Sequence, residues 1–69
     1  MPHIDITMFP GRDDETKKEL ALKVQKFISQ ELKIEEKVIS VSVEDIAKEE
    51  WGKHMERFKD KNMFVHPGV

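Results

Sequence analysis

The chain has 69 residues, of which 38% are hydrophobic, and its 12 basic and 14 acidic side chains give a formal net charge of −2. This length suffices for one small domain, residues 1–69, and domains of this size usually need a covalent staple or a partner. Cysteine is absent, which excludes disulfides and thiolate metal sites and leaves self-association as the expected supplement.

The charges are mixed along the chain, and there is no basic block of the kind that binds nucleic acid. No apolar run approaches the length of about 20 residues that a membrane-spanning helix needs. The start also lacks the charged-then-apolar pattern of a secretory signal. We therefore expect a cytoplasmic protein with neither a membrane nor a nucleic-acid partner.

The first predicted element is a strand from His3 to Phe9. Apolar and polar side chains alternate along it, which is typical of a strand with one buried face. The apolar face carries Ile4, Ile6 and Met8. Pro10 and Gly11 are expected to end the strand, because proline lacks the N–H that a sheet ladder needs and glycine accepts turn dihedral angles.

An amphipathic helix of about five turns is predicted next. Asp13, Asp14 and Glu15 place negative charge at its start, where an aspartate can cap free N–H groups and all three suit the helix dipole. The apolar positions recur at helical spacing, at Leu20, Val24, Phe27, Ile28 and Leu32. The lysines between them are expected to form a solvated face.

A second strand is predicted from Val38 to Val43, after a short polar connection. Ile39 and Val41 lie on its apolar side, and Ser40 and Ser42 alternate with them. A strand, a helix and a strand in this order predict a βαβ unit with parallel strands and a right-handed crossover.

The last third of the chain predicts smaller elements. Trp51, Met55 and Phe58 are spaced as on one helix face, although Gly52 among them costs roughly 1 kcal/mol relative to alanine. Asn62 to His66 is compatible with a short edge strand. The fold class is thus α/β (α+β).

Two parallel strands and one covering helix do not close a core. Their open faces are expected to pair with a second copy, giving a ferredoxin-like four-stranded sheet across a homodimer. That dimer could itself be the building block of a hexamer, and the sequence leaves both assemblies open.

Few residues suggest a metal or cofactor site. His3, His54 and His66 are too scattered for a recognisable metal motif, and helix capping explains the acidic run after Arg12. There is no nucleophile elbow and no glycine-rich phosphate loop. We therefore expect neither a metal nor a cofactor.

The clearest chemical feature is the start, Met1-Pro2. A small second residue normally leads to removal of the initiator methionine, which would leave a free secondary amine on Pro2. The ring fixes the direction of its lone pair. Burial at the start of an apolar strand would favour the unprotonated amine, which could then act as a base.

The run from Pro2 to Glu15, PHIDITMFPGRDDE, resembles the opening of the 4-oxalocrotonate tautomerase family. The order of elements agrees with the family over nearly the whole chain, which implies the small βαβ tautomerase fold. The resemblance implies that Pro2 is the general base of a cofactor-free keto–enol isomerase. It further implies that Arg12 binds a substrate carboxylate and that Trp51 forms an apolar wall. Implied substrates are enols and α-keto acids such as phenylenolpyruvate or 2-hydroxymuconate-like dienols.

Ser40 departs from the family pattern. The type enzyme has an arginine at the matching place on its second strand, and that arginine engages the substrate. Ser40, Trp51 and the ending Met63 to Gly68 are more similar to the PptA-like subgroup, whose members form dimers and favour enols such as phenylenolpyruvate.

The alternative left open by the sequence is a non-catalytic ferredoxin-like oligomeric binding module, because a fold does not by itself determine a function. Whether Pro2 carries a free amine discriminates between the two, since retention of Met1 turns its nitrogen into an amide without basicity.

Overall fold

The computed structural model describes residues 1–69 as a βαβ unit followed by a short carboxyl-terminal segment. Its strands and helices are β1 (His3–Met8), α1 (Asp14–Leu32), β2 (Ser40–Asp45) and α2 (Trp51–Met55). Single 3₁₀ turns lie at Glu36–Val38, Lys48–Glu50 and Asp60–Asn62. The expected small α+β fold, in which a helix connects two parallel strands, is confirmed.

The two strands are parallel, and their register places His3 opposite Ser40 and Met8 opposite Asp45. Side chains alternate between the two sides of a strand, so each side of the sheet collects one set from both strands. The inner face, which α1 covers, contains Ile4, Ile6, Met8, Val41 and Val43. The outer face contains His3, Asp5, Thr7, Ser40, Ser42 and Glu44.

Helix α1 begins and ends at identifiable caps. The side chain of Asp13 accepts a hydrogen bond from the Thr16 backbone N–H at 2.9 Å, which satisfies one of the free donors of the first turn. At the other end Lys33 adopts a left-handed conformation with φ 56°. The next N–H, that of Ile34, then donates to the Ser29 carbonyl at 3.2 Å, which closes the helix.

The single chain has almost no interior. Ile39, with 5% of its surface exposed, is the one buried residue. Helix α1 packs mainly against β2. Three of its apolar side chains, Leu22, Phe27 and Leu32, remain more than half exposed. A large part of the apolar surface that the sequence provides is therefore available to another molecule.

Several predicted boundaries need correction. Strand β2 starts at Ser40 rather than Val38, because Val38 belongs to a 3₁₀ turn closed by the Ile39 N–H and the Glu36 carbonyl at 3.0 Å. The second helix ends at Met55 and does not extend to Phe58.

The edge strand considered for Asn62 to His66 does not form. A 3₁₀ turn occupies its beginning, where the Met63 N–H donates to the Asp60 carbonyl at 3.0 Å. Phe64 and Val65, which follow, are 91% and 84% exposed. A strand needs a neighbour for its backbone groups, and the sheet of this chain contains β1 and β2 alone.

Neither α1 nor α2 combines the length and the apolar character that crossing a membrane requires.

Candidate active site

Pro2 lies at the amino end of β1 and is half-buried. Its carbonyl accepts a hydrogen bond from the Ser40 N–H at 3.2 Å, so that Pro2 is held against the first residue of β2. Met1 precedes it and is fully exposed. With Met1 attached, the Pro2 nitrogen is an amide, and it becomes a base only when Met1 is removed.

Arg12 lies at the opposite end of the same strand. It is exposed and occupies the turn between β1 and α1, directly after Gly11, whose φ of 135° is a conformation that favours glycine. The six-residue strand β1 spans about 17 Å between its terminal Cα atoms. An arginine side chain is much shorter than this strand, so Arg12 and Pro2 of one chain do not meet.

Trp51 also lies at the carboxyl end of β1. Its ring meets that of Phe9 edge-on, with the centroids 5.1 Å apart. The ring centroid of His54 lies 5.6 Å from that of Trp51 and 5.6 Å from that of Phe58. The guanidinium carbon of Arg57 lies 5.3 Å from the Phe58 ring centroid. These side chains form a continuous aromatic row at the end of the sheet that carries Arg12.

His54 attaches this row to the sheet. Its Nε2 and the Thr7 Oγ1 form a hydrogen bond of 3.0 Å. Because Thr7 belongs to the outer face, this hydrogen bond places His54 of α2 at the carboxyl end of that face. The sequence did not place His54 relative to the other site residues, and its position three residues after Trp51 was the available signal.

The amino end of the outer face contains a chain of polar side chains that sequence reasoning missed. His3 Nδ1 lies 2.7 Å from Ser40 Oγ, and its Nε2 lies 3.0 Å from Ser42 Oγ. Ser42 in turn donates to Asp5 Oδ1 at 2.6 Å. The alternation of polar residues in both strands was visible, but the chain appears only once the strand register is known.

The carboxyl groups of Asp5 and Glu44 interact at the end of this chain of polar side chains. A hydrogen bond from the Glu44 carboxyl, followed by that from the Ser42 hydroxyl, lowers the pKa of Asp5. The same contact and the negative charge of Asp5 raise the pKa of Glu44. The first proton added to the pair therefore belongs to Glu44, and Asp5 keeps its negative charge.

The surface has two shallow concavities, and one of them is a groove of about 200 Å³ between α1 and β2. It is lined by Lys18, Ala21, Leu22, Gln25, Ile39 and Val41. None of Pro2, Arg12 and Trp51 lines it. No group of three or more histidine, cysteine, aspartate or glutamate side chains is arranged to hold a metal ion.

Comparison with known proteins adds one match. A family model described as "Tautomerase enzyme" matches residues 2–61, which is most of the chain. No curated protein matches the sequence.

Proposed function

Because the chain belongs to the tautomerase family, we propose that it is a keto–enol tautomerase whose general base is the amino-terminal amine of Pro2. The proposal is supported by the family match, which includes Pro2 and Arg12, and by the fixed position of Pro2 at the start of β1. It requires removal of Met1, whose complete exposure leaves it accessible to an aminopeptidase.

The proposed reaction is a proton transfer within an enol or α-keto acid. The neutral Pro2 amine takes the hydroxyl proton of the enol, and the O–H electron pair forms the carbonyl while the carbon–carbon double bond becomes nucleophilic. The Pro2 ammonium then returns the proton to carbon, which regenerates the free amine. A positioned base of this kind contributes roughly 10²–10⁴-fold to the rate. The reaction calls for neither a metal nor a cofactor.

Arg12 is proposed to bind the substrate carboxylate, and Trp51 to supply an apolar wall that disfavours the protonated amine. Both lie at the far end of β1 from Pro2 of the same chain. The proposed site therefore combines Pro2 of one protomer with Arg12 and Trp51 of another. An isologous contact that places two β1 strands side by side in opposite directions would satisfy this requirement.

The proposed assembly is a cytoplasmic homodimer with a four-stranded sheet, in keeping with a PptA-like member of the family. The scarcity of buried residues in one chain supports self-association. Ser40, which stands where the type enzyme has an arginine, favours a substrate with one carboxylate. Among the enols considered, phenylenolpyruvate fits this requirement better than a 2-hydroxymuconate-like dicarboxylate.

The first experiment follows the ultraviolet absorbance of phenylenolpyruvate as it converts to the keto form. Protein shown by mass to lack Met1 is compared with its Pro2→Ala variant. We expect a rate well above that of buffer, falling by about 10²-fold or more in the variant. Full activity of Pro2→Ala would rule out the proline base. No acceleration by folded, processed protein with this enol or a dienol would favour the binding module.

Arg12→Ala tests the second role. Loss of a carboxylate contact made equally in the ground state and the transition state raises KM and leaves kcat nearly unchanged. Lys18→Ala, a cation removed from the exposed surface of α1, is the matched control. An equal loss on an uncharged ketone substrate would contradict the carboxylate role.

A further inference from the structure

The hydrogen atoms in the polar chain on the outer face can be assigned by counting donors. The single hydroxyl proton of Ser42 is donated to Asp5 Oδ1 at 2.6 Å. Ser42 Oγ can therefore only accept from His3, whose Nε2 lies 3.0 Å away. Nε2 of His3 thus carries a hydrogen in both the neutral and the charged form of the ring.

This assignment leaves two states for the contact between His3 Nδ1 and Ser40 Oγ, which are 2.7 Å apart. When His3 is neutral, Nδ1 has no hydrogen, and the Ser40 hydroxyl donates to it. When His3 is protonated, Nδ1–H donates to Ser40, and the hydroxyl proton of Ser40 is free for another acceptor. The protonated ring also polarises that hydroxyl, which strengthens it as a donor.

Ser40 is next to the proposed base. Its N–H donates to the Pro2 carbonyl at 3.2 Å, and neighbouring strands lie about 4.8 Å apart. Its side chain is exposed, as is that of His3. A small enol in contact with Pro2 can therefore place an oxygen at the Ser40 hydroxyl.

We propose that the Ser40 hydroxyl, oriented and polarised by His3, donates a hydrogen bond to the substrate oxygen on which negative charge develops while Pro2 moves the proton. This inference rests on the proposed tautomerase function and adds an electrophilic group to it. Donors directed at a developing oxyanion stabilise the transition state more than the ground state, so they act on kcat. In this scheme Ser40 contacts the substrate, and His3 is a positioning residue that acts through it.

The outer face around His3 carries charged groups of both signs. Asp5, joined to it through Ser42, is a carboxylate on the same strand. Glu44 on β2 lies against Asp5 and adds negative charge when ionised. Opposing these are His54 and Arg57, at the carboxyl end of the same face, whose charges act on Glu44. Asp5 is the carboxylate connected to the ring by hydrogen bonds, through the Ser42 hydroxyl.

The test uses protein without Met1 and measures phenylenolpyruvate ketonisation. We expect Ser40→Ala and His3→Gln each to lower kcat roughly 10- to 100-fold with KM within about twofold. The double variant should be little slower than either single variant, because the two side chains act as one unit. Ser40→Thr, which keeps the hydroxyl, should retain most of the rate.

The pH profile separates this role from a structural one. The requirement for neutral Pro2 gives kcat an acidic limb, and the requirement for protonated His3 gives it an alkaline limb. His3→Gln should lose the alkaline limb, whereas His66→Gln, a histidine removed far along the chain, should keep it. Unchanged kcat in Ser40→Ala, or effects of the two substitutions that multiply, would overturn the inference. Failure of the proposed function gives a different result, because the Pro2→Ala variant would then keep the wild-type rate.

Discussion

At the scale of single residues, Asp5 and Glu44 show how a pair of exposed carboxyl groups acquires different proton affinities. Their contact raises the pKa of Glu44 and lowers that of Asp5. A raised pKa means that Glu44 stabilises the fold while it is protonated, and that this contribution is lost as the pH rises through its folded-state pKa. The lowered pKa of Asp5 means the reverse, a contribution present at higher pH and lost on acidification.

Glu44→Gln should raise the thermal midpoint at neutral pH, because glutamine keeps a donor to Asp5 and removes the repulsion between two carboxylates. The gain should shrink on acidification, where Glu44 itself becomes protonated and donates as glutamine does. Circular dichroism melts between acidic and neutral pH measure this difference. Glu31→Gln, a carboxylate removed from the exposed surface of α1, is the control. A gain that did not depend on pH would contradict the pairing.

Gly11→Ala should destabilise the fold by about 1–2 kcal/mol, because a φ of 135° is strained for any residue with a Cβ. No atom lies within 4 Å of the added Cβ, so the cost arises in the backbone rather than from a clash. Relaxation of the turn should also displace Arg12 and raise KM for carboxylated substrates.

Gly52→Ala is the matched control for this substitution. Gly52 lies inside α2 and also has no atom within 4 Å of an added Cβ. There alanine should stabilise by up to about 1 kcal/mol, since it is the better helix former. Urea unfolding measures both variants, and a loss of the same size at both positions would exclude the backbone explanation.

At the scale of elements, α1 is the element whose formation depends least on contacts with the rest of the molecule. Its cap at Asp13 is a local contact, and the hydrogen bond from the Thr16 side chain, followed by that from its backbone N–H, lowers the pKa of Asp13. The cap therefore stabilises the folded chain above the pH range in which an unfolded aspartate titrates, and this contribution is lost on acidification.

Asp13→Ala should lower the thermal midpoint and shorten α1 at its start, because the Thr16 N–H loses its acceptor. Asp13→Asn is the control, since asparagine caps about as well as aspartate and does not titrate. We expect Asp13→Asn to keep the neutral-pH midpoint and to lose less stability in acid than the parent chain. Equal melting of the alanine and asparagine variants would show that the cap is not used.

The elements also show what the sequence could predict. Helix α1 was predicted because caps and period 3.6 are local properties, and β1 because its alternation is unbroken. The start of β2 was misplaced by two residues, because Val38 is apolar yet lies in a 3₁₀ turn. The contact of His3 with Ser40 joins positions 37 residues apart. Its existence depends on strand register, which alternation alone does not specify.

At the scale of the whole molecule, the two proposed halves of the site lie at opposite ends of one strand. Pro2 is at the amino end of β1, and Arg12 and Trp51 follow its carboxyl end. The resemblance to the family implies one site for these residues, and the structure shows that a single chain keeps them apart. Because Pro2 and Arg12 of one chain lie far apart, the proposal that two chains share each site can be tested on mixed dimers.

Mixing the Pro2→Ala variant with the Arg12→Ala variant, which is impaired at low substrate concentration, should restore activity under conditions that allow subunits to exchange. A mixed dimer would contain one site with both native residues and one site with neither. Random exchange of equal amounts gives one half mixed dimers, so about one quarter of the sites should be native. Activity is measured at low substrate concentration, where the Arg12 defect is expressed. No recovery in verified mixed dimers would place both residues in the site of a single chain.

The parallel register has a consequence for how the chain folds. Each pair of opposite residues in the sheet, from His3 with Ser40 to Met8 with Asp45, is 37 positions apart in sequence. Closing so long a loop lowers the entropy of the chain before the hydrogen bonds and contacts between the two strands can form and stabilise it. We therefore expect α1, whose contacts are local, to shorten the search by forming early and to bring the strands together. Substitutions in α1 should then slow refolding, whereas those on the outer face of the sheet should mainly change the rate of unfolding.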